Sequence, residues 1–327
     1  MNALIRSTLV WVGAFIFSAV LALSGFKNFS AWPQVLDLWD LDLPLEYLTE
    51  HPHFFRYLVV YPGFMLENYF GNYGFSIYLC IFFATNIVLW RLLINKYCGR
   101  NPNVIIWILF LGVHLAMNGR GVIAWCAWLI CMHVCLDLSD VNRNTLFPIF
   151  RIVFSSFLGT VSTGVFVVIV FAILFFVFRW LRAKKKKHNI FLSLFVLFLS
   201  IPFFIGIYDY FVAAVSKNVD FYGGGLYGFF GMFQHGLGMI FFFFEDINYA
   251  YLSLWCLALL PVITFLFAFL FVRLRTSWSA FGVLQMIPIA GGLFGFTVLT
   301  LAIPLLLGRG MLFFSLRRGK SLALIKN

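Results

Sequence analysis

Stretches of about 20 apolar residues, the length a helix needs to cross a bilayer, recur along this chain with polar breaks between them. The first run covers residues 7–25. A long polar segment, 26–73, follows, and then runs at 74–94, 104–117 and 121–136, the last two flanking Asn118-Gly119-Arg120. Runs at 147–161 and 164–181 flank Ser162-Thr163, and 190–207 comes next. A second long segment, 208–247, precedes a span at 251–272. The run 281–307 exceeds one ordinary helix and carries Gly291-Gly292 near its middle, so it reads as a hairpin. The pattern predicts an all-α, polytopic membrane protein, a single membrane domain over 1–327 with about ten transmembrane helices and two long loops at 26–73 and 208–247.

Composition sharpens this. Of the 327 residues, 63% are hydrophobic and 11% charged, against roughly 45–50% and about 25% in soluble domains. One soluble core has no means of burying so much apolar surface, which excludes a soluble enzyme, a disordered chain and a nucleic-acid-binding module. The 44 Phe fit a lipid-facing or bundle-filling role. Six cysteines make no disulfide framework. Cys80, Cys126, Cys131, Cys135 and Cys256 lie in apolar runs and Cys98 in a basic loop, so they read as small hydrophobes without a redox or metal role. Arg6 precedes a run long enough to span, and no A-x-A-like site follows, so no cleavable signal peptide is expected.

The 23 basic and 12 acidic residues, a balance of +11, set orientation, because most cations sit in short loops. Arg6, Lys96 with Arg100, Arg143 with Arg151, the run from Arg179 to Lys187 around the basic loop 182–188, Arg273 with Arg275, and Arg317-Arg318-Lys320 alternate with poorly basic loops. Placing all of these in the cytoplasm puts both termini inside. The segments 26–73 and 208–247 then face outward, as periplasmic segments, together with the tips at residues 118–120 and 162–163. The run 184–187 reads as an orientation and anionic-lipid anchor. Fixed-period and inverted repeats are not visible, which weighs against a transporter.

Arg120 is the most informative single residue. Set between two apolar runs, it lies at or slightly below the outer boundary, where an ionisable side chain is costly and faces a cavity or a partner. Its planar fork suits phosphate; the plain alternative is a snorkelling arginine. In the first outer segment Asp37 and Asp40, and then Asp42, Glu46 and Glu50, are spaced by three or four residues, as in a short amphipathic helix on the membrane. They form a solvated acidic face or supply a general base. His51, His53, Arg56 and Glu67 follow on an aromatic-rich segment too short to span, a set that suits a cavity mouth better than a metal site. Its aromatics stack on sugar faces or belong to the interfacial belt.

Ser155 to Gly164 places hydroxyls and glycines where one helix ends and the next begins, which suits close helix approach; no G-x-S-x-G elbow is present. The second outer segment carries Asp209, Lys217, Asp220, Tyr222 with three glycines after it, His235, Glu245 and Asp246. No phosphate-cradle pattern follows those glycines. His235 is a proton carrier near neutral pH or an interfacial polar residue. His114 and His133, inside runs, read first as helix–helix hydrogen-bonding residues; His114 lies within two turns of Arg120 and is a candidate for the same cavity.

The layout resembles the Wzy/EpsG-like group of O-antigen and exopolysaccharide polymerases. The resemblance covers roughly residues 50–180 and rests on Asn118-Gly119-Arg120-Gly121 leading into a small-residue helix, on Ser162-Thr163-Gly164-Val165-Phe166 at the next tip, and on the helix within 69–96. Members often carry another arginine at an outer tip in the last third; Arg309 matches only if the final hairpin is a single span. The resemblance implies a membrane glycosyltransferase of the bacterial inner membrane, joining oligosaccharide repeat units carried on undecaprenyl pyrophosphate at the outer face. Such a reaction needs cations for the diphosphate, a base for the acceptor hydroxyl and an apolar groove for the lipid tail. Arg120 and Arg56 are the diphosphate candidates. Asp40, Glu67, Asp209 and His235 are the catalytic-base candidates, and His53, His114, Thr163 and Tyr222 line the cavity. No metal or other cofactor is required. The partners are the lipid-linked oligosaccharide, the bilayer and a chain-length regulator, with no nucleic acid. The rival functions are a lipid-linked-oligosaccharide flippase or other transporter, a membrane acyltransferase acting on glycan, and a purely structural subunit.

Overall fold

The structure, a computed structural model, describes residues 3–26, 29–41, 47, 54–98, 104–139 and 146–183, with the isolated positions 212, 216, 219–220, 223–226, 228, 284, 287–288 and 301. Its helices are α1 (Ala3–Leu23), α2 (Pro33–Asp40), α3 (Phe54–Phe70), α4 (Gly74–Cys98), α5 (Val104–Leu115), α6 (Gly119–Ser139), α7 (Leu146–Gly159) and α8 (Thr163–Ala183), with a 3-10 turn over Gly71–Tyr73. Among the described residues, all regular secondary structure is helical. Ile5–Leu23, Gly74–Lys96 and Gly119–Leu138 are long and apolar enough to cross a membrane. Val104–Leu115 is apolar but shorter; its 12 residues reach ~18 Å, less than a ~30 Å hydrocarbon core. The runs 184–187, 190–207 and 251–272, and most of the segments 208–247 and 281–307, lie outside the described residues.

Two compact units are present, one of Met1–His133, Val153–Ser162 and Ile303–Asn327, the other of Val134–Ile152 and Thr163–Ala302. In the second, Asp137 and Arg151 form an ion pair at 3.5 Å, and Val165, Val168, Ile169, Ala172 and Phe176 of α8 are buried. The first unit is organised around α4. Leu79, Phe83, Asn86, Trp90 and Leu93 recur at alternating spacings of four and three and are all fully buried, the stripe of a helix packed on its neighbours. Phe83 stacks on His114 of α5 with ring centroids 4.3 Å apart, and Trp90 stacks on Phe110 at 3.9 Å.

α1 lies antiparallel along α4. The Arg91 guanidinium donates to the Arg6 carbonyl at 3.4 Å, and the Trp11 indole donates to Thr85 Oγ1 at 3.2 Å. Ser76 Oγ donates to the Phe29 carbonyl at 2.7 Å. The opposite stripe of α1, Ile5, Leu9, Val12, Ile16, Val20 and Leu23, is exposed, as on a helix whose outer face meets lipid. α6 runs parallel to α4, since Gly119 lies against Leu79, Asn86 bonds to Val122, and His133 bonds to the Leu89 carbonyl at 2.9 Å. Arg6 and Arg91 therefore share one end of the unit, and Arg120 lies at the other.

α3 doubles back on α4 through a tight joint. Gly71 adopts φ +58°, the left-handed region that suits glycine. A Cβ on Gly74 would collide with the backbone of Leu66 and Glu67, and one on Gly63 would lie 2.9 Å from the Tyr78 ring, so both glycines permit the close crossing. Pro62 removes one rung of the α3 ladder, and the nearby Val59 carbonyl accepts the Tyr78 hydroxyl. α2 starts with proline at its first turn, where the missing N–H costs nothing. Its buried side, Val35 and Leu38, is accompanied by Trp39, stacked on Phe64 of α3 at 4.7 Å. The apolar face expected to lie on the membrane thus packs on protein, while Asp37 and Asp40 stay exposed.

Candidate functional site

The polar break after α5 becomes a capped helix start. Asn118 Oδ1 accepts the Gly121 backbone N–H at 3.0 Å, a side-chain cap that satisfies one of the otherwise unpaired first-turn donors. Gly119 allows close approach: a Cβ there would lie 2.6 Å from Leu79 Cδ1 and 2.8 Å from the Ser30 carbonyl oxygen. Arg120 is therefore held in the first turn of α6, beside α4. A cation in that turn opposes the positive end of the helix dipole, so its presence there has no basis in helix stability and favours an anion close by.

The second polar break meets the first. Arg120 Nη2 donates to Ser162 Oγ at 2.9 Å. Ser162 is 4% exposed and ends three successive tight backbone bonds: Thr160 N to Phe157 O, Val161 N to Leu158 O and Ser162 N to Gly159 O, at 3.1, 3.2 and 3.1 Å. These close the C-terminus of α7 with 3-10 geometry. Thr160 Oγ1 has the Phe157 carbonyl at 2.6 Å and the Phe55 carbonyl at 3.3 Å as acceptors. One turn thus touches Arg120 on one side and the start of α3, next to Arg56, on the other.

The two arginines differ in environment. Arg120 is partly exposed. Arg56 is 5% exposed and donates through Nη1 to Gln34 Oε1, tying α2 to α3. Glu67 lies eleven residues further along α3, ~16 Å along the axis. Its backbone lies at Gly74 and that of Gly119 at Leu79, contacts five residues apart on α4, or ~7.5 Å in height. Glu67 is half-buried, and burial raises its carboxyl above the ordinary carboxylate range.

Other candidates fall elsewhere. Asp40 is exposed at the end of α2 and Thr163 is half-exposed at the start of α8. His114 is 1% exposed, stacked between Phe83 and Trp125 and 3.0 Å from Asn86 Nδ2, so it faces the helix interior and not an open cleft. His53, Asp209, Tyr222 and His235 lie outside the described residues. Among the described residues, no group of three or more His, Cys, Asp and Glu is placed to hold a metal ion. Asn86, Gln34 and Thr160 were not singled out from the sequence, although an asparagine inside the apolar run 74–94 is a visible signal. Set against protein-family models, curated proteins and solved structures, the chain matches none.

Proposed function

We propose that this protein is a membrane glycosyltransferase that polymerises lipid-linked oligosaccharide repeat units on the outer face of a bacterial inner membrane. The observation that carries the reading is the joint between Arg120 and Ser162: the polar break before α6 and the turn that ends α7 meet and set a cation beside a hydroxyl at one end of the first unit. The opposite end carries Arg6 and Arg91. This division supports a cytoplasmic N-terminus and an outward-facing Arg120, within an architecture of about ten spans and two outer loops.

In this scheme a hydroxyl of the acceptor unit attacks the anomeric carbon of the donor. The bond from that carbon to the diphosphate oxygen breaks, undecaprenyl pyrophosphate departs, and the hydroxyl proton passes to a base. Arg120 stabilises the charge gathering on the departing diphosphate. Arg56 stands behind the same turn and reaches the diphosphate only after Gln34 withdraws. Glu67 is the favoured base among the described residues, because its raised pKa brings it closer to the working pH. Asp40, Asp209 and His235 are the alternatives to it.

Deletion of the gene in the native host, with gel analysis of surface polysaccharide, tests this. Single repeat units on the lipid carrier, with long chains absent, support a polymerase, and the same outcome for Arg120→Ala places the site. Loss of all surface glycan with the lipid-linked unit retained inside favours a flippase. Unchanged chain length in both strains defeats the proposal.

A further inference from the structure

Asn86 interrupts the buried apolar stripe of α4, and its bonds lead to the Arg120 turn. Its Nδ2 donates to the Val122 carbonyl oxygen at 2.8 Å and lies 3.0 Å from His114 Nε2. A carbonyl oxygen only accepts, so the Val122 bond decides which end of the carboxamide faces α6. The nitrogen then also faces His114, whose Nε2 must accept, leaving the ring proton on Nδ1. Asn86 Oδ1 and His114 Nδ1 are buried without a hydrogen-bond partner, a cost that Asn86→Leu together with His114→Phe would not incur. Stability therefore does not account for the polar pair, whereas its location does. Val122 lies two residues beyond Arg120 in α6. Gly119 against Leu79 and Val122 against Asn86 hold the tip of the α5–α6 hairpin to α4 at two points, seven residues apart on α4 and three apart on α6, ~10.5 and ~4.5 Å along the respective axes. Sliding α6 by one residue along its own path would shift Arg120 by ~1.5 Å and turn it by ~100°, away from Ser162.

We propose that Asn86 is the positioning residue of the Arg120 site: by donating to Val122 O and His114 Nε2 it sets the height and rotation of α6 at which the guanidinium meets Ser162 Oγ. The functional part of this rests on the reading of Arg120 as an anion-binding group; the geometric part does not.

Two measurements on the full chain separate these parts. In a variant with the native cysteines replaced, Arg120→Cys is labelled with a membrane-impermeant maleimide, with and without Asn86→Leu. Leucine matches asparagine in shape but leaves His114 Nε2 without its donor, so the melting temperature in detergent is expected to fall modestly while the labelling rate changes about tenfold, equivalent to 1.4 kcal/mol. His114→Phe leaves the Val122 bond in place and is expected to change the rate less than about twofold. An unchanged rate in Asn86→Leu overturns the proposal. If that variant does not fold, Asn86→Ser, which keeps one donor, takes its place: an intermediate change in rate supports the proposal, and the parent rate overturns it. In the native host, Asn86→Leu with Arg120 intact is expected to shorten glycan chains, and to add little to Arg120→Ala. Normal chain length in Arg120→Ala alone defeats the polymerase reading, while the labelling rates still decide the role of Asn86.

Discussion

Arg120 donates to Ser162 across 42 residues of sequence, at 2.9 Å, and so joins the start of α6 to the turn that ends α7. Hydrogen bonds to a charged group contribute about 1.5–3 kcal/mol, enough to hold one rotamer of a long side chain. Arg120→Ala is expected to abolish long glycan chains, and Arg120→Lys to leave a small residue of them, because an ammonium keeps the charge but loses the planar fork. Ser162→Ala keeps the cation and loses its orientation, so an intermediate chain-length distribution is expected. Gels of surface polysaccharide from the three strains check the order.

Gly74 packs against the backbone of α3, where neither partner can step aside. Gly74→Ala is expected to destabilise the protein by about 2 kcal/mol or more, as overpacking does. Gly71→Ala faces open space but needs φ +58°, and is expected to cost roughly 1–2 kcal/mol. Thermal unfolding in detergent gives both values. Equal stability of Gly74→Ala and the parent would show that α3 and α4 separate more easily than their contact implies.

Glu67 carries a pH signature. Its folded pKa is raised by burial, so the folded state holds its proton more tightly than the unfolded chain. Stability from this group is therefore greatest at acidic pH and falls as pH rises from the unfolded value through the raised one. Glu67→Gln is expected to melt higher than the parent at pH 8, with the gap closing toward pH 4. If Glu67 is the base, activity of the parent rises across the same pH window and Glu67→Gln loses it. A gap in melting temperature that does not change with pH would show that the carboxyl does not titrate differently on folding.

Gln34 accepts from Arg56, a buried cation on α3. Gln34→Ala removes an acceptor from a charged donor and is expected to cost about 1.5–3 kcal/mol. Asp137→Asn, which weakens an ion pair that is 40% exposed on its arginine side, is expected to cost less than about 1 kcal/mol. A larger loss from Asp137→Asn than from Gln34→Ala, in the same unfolding experiment, would reverse this ranking.

The run 74–94 was legible because a membrane helix must be apolar over its whole length, and α4 covers it as Gly74–Cys98. The breaks at 118–120 and 162–163 were legible because Asn, Gly and Ser stop apolar periodicity, and each falls where one described helix gives way to the next. Within the spans the reading was poorer. His114 stood out through its closeness in sequence to Arg120, yet α5 turns it onto Phe83 and Asn86. Arg56 and Arg120 read alike as cations, and burial separates them: one is buried and bonded to Gln34 and the other remains partly exposed.

Composition and the order of apolar runs by themselves determined that this chain is a helical membrane protein whose apolar runs are separated by polar breaks. Both follow from local physics, since backbone groups in lipid must be satisfied within each helix and charge is costly at depth. Which tips meet, how Asn86 and Gly119 set the height of Arg120, and which arginine stays open were decided by tertiary structure. Those relations depend on close contacts between residues tens of positions apart, with shape and hydrogen-bond direction selecting the partners, and no local pattern of hydrophobicity encodes them.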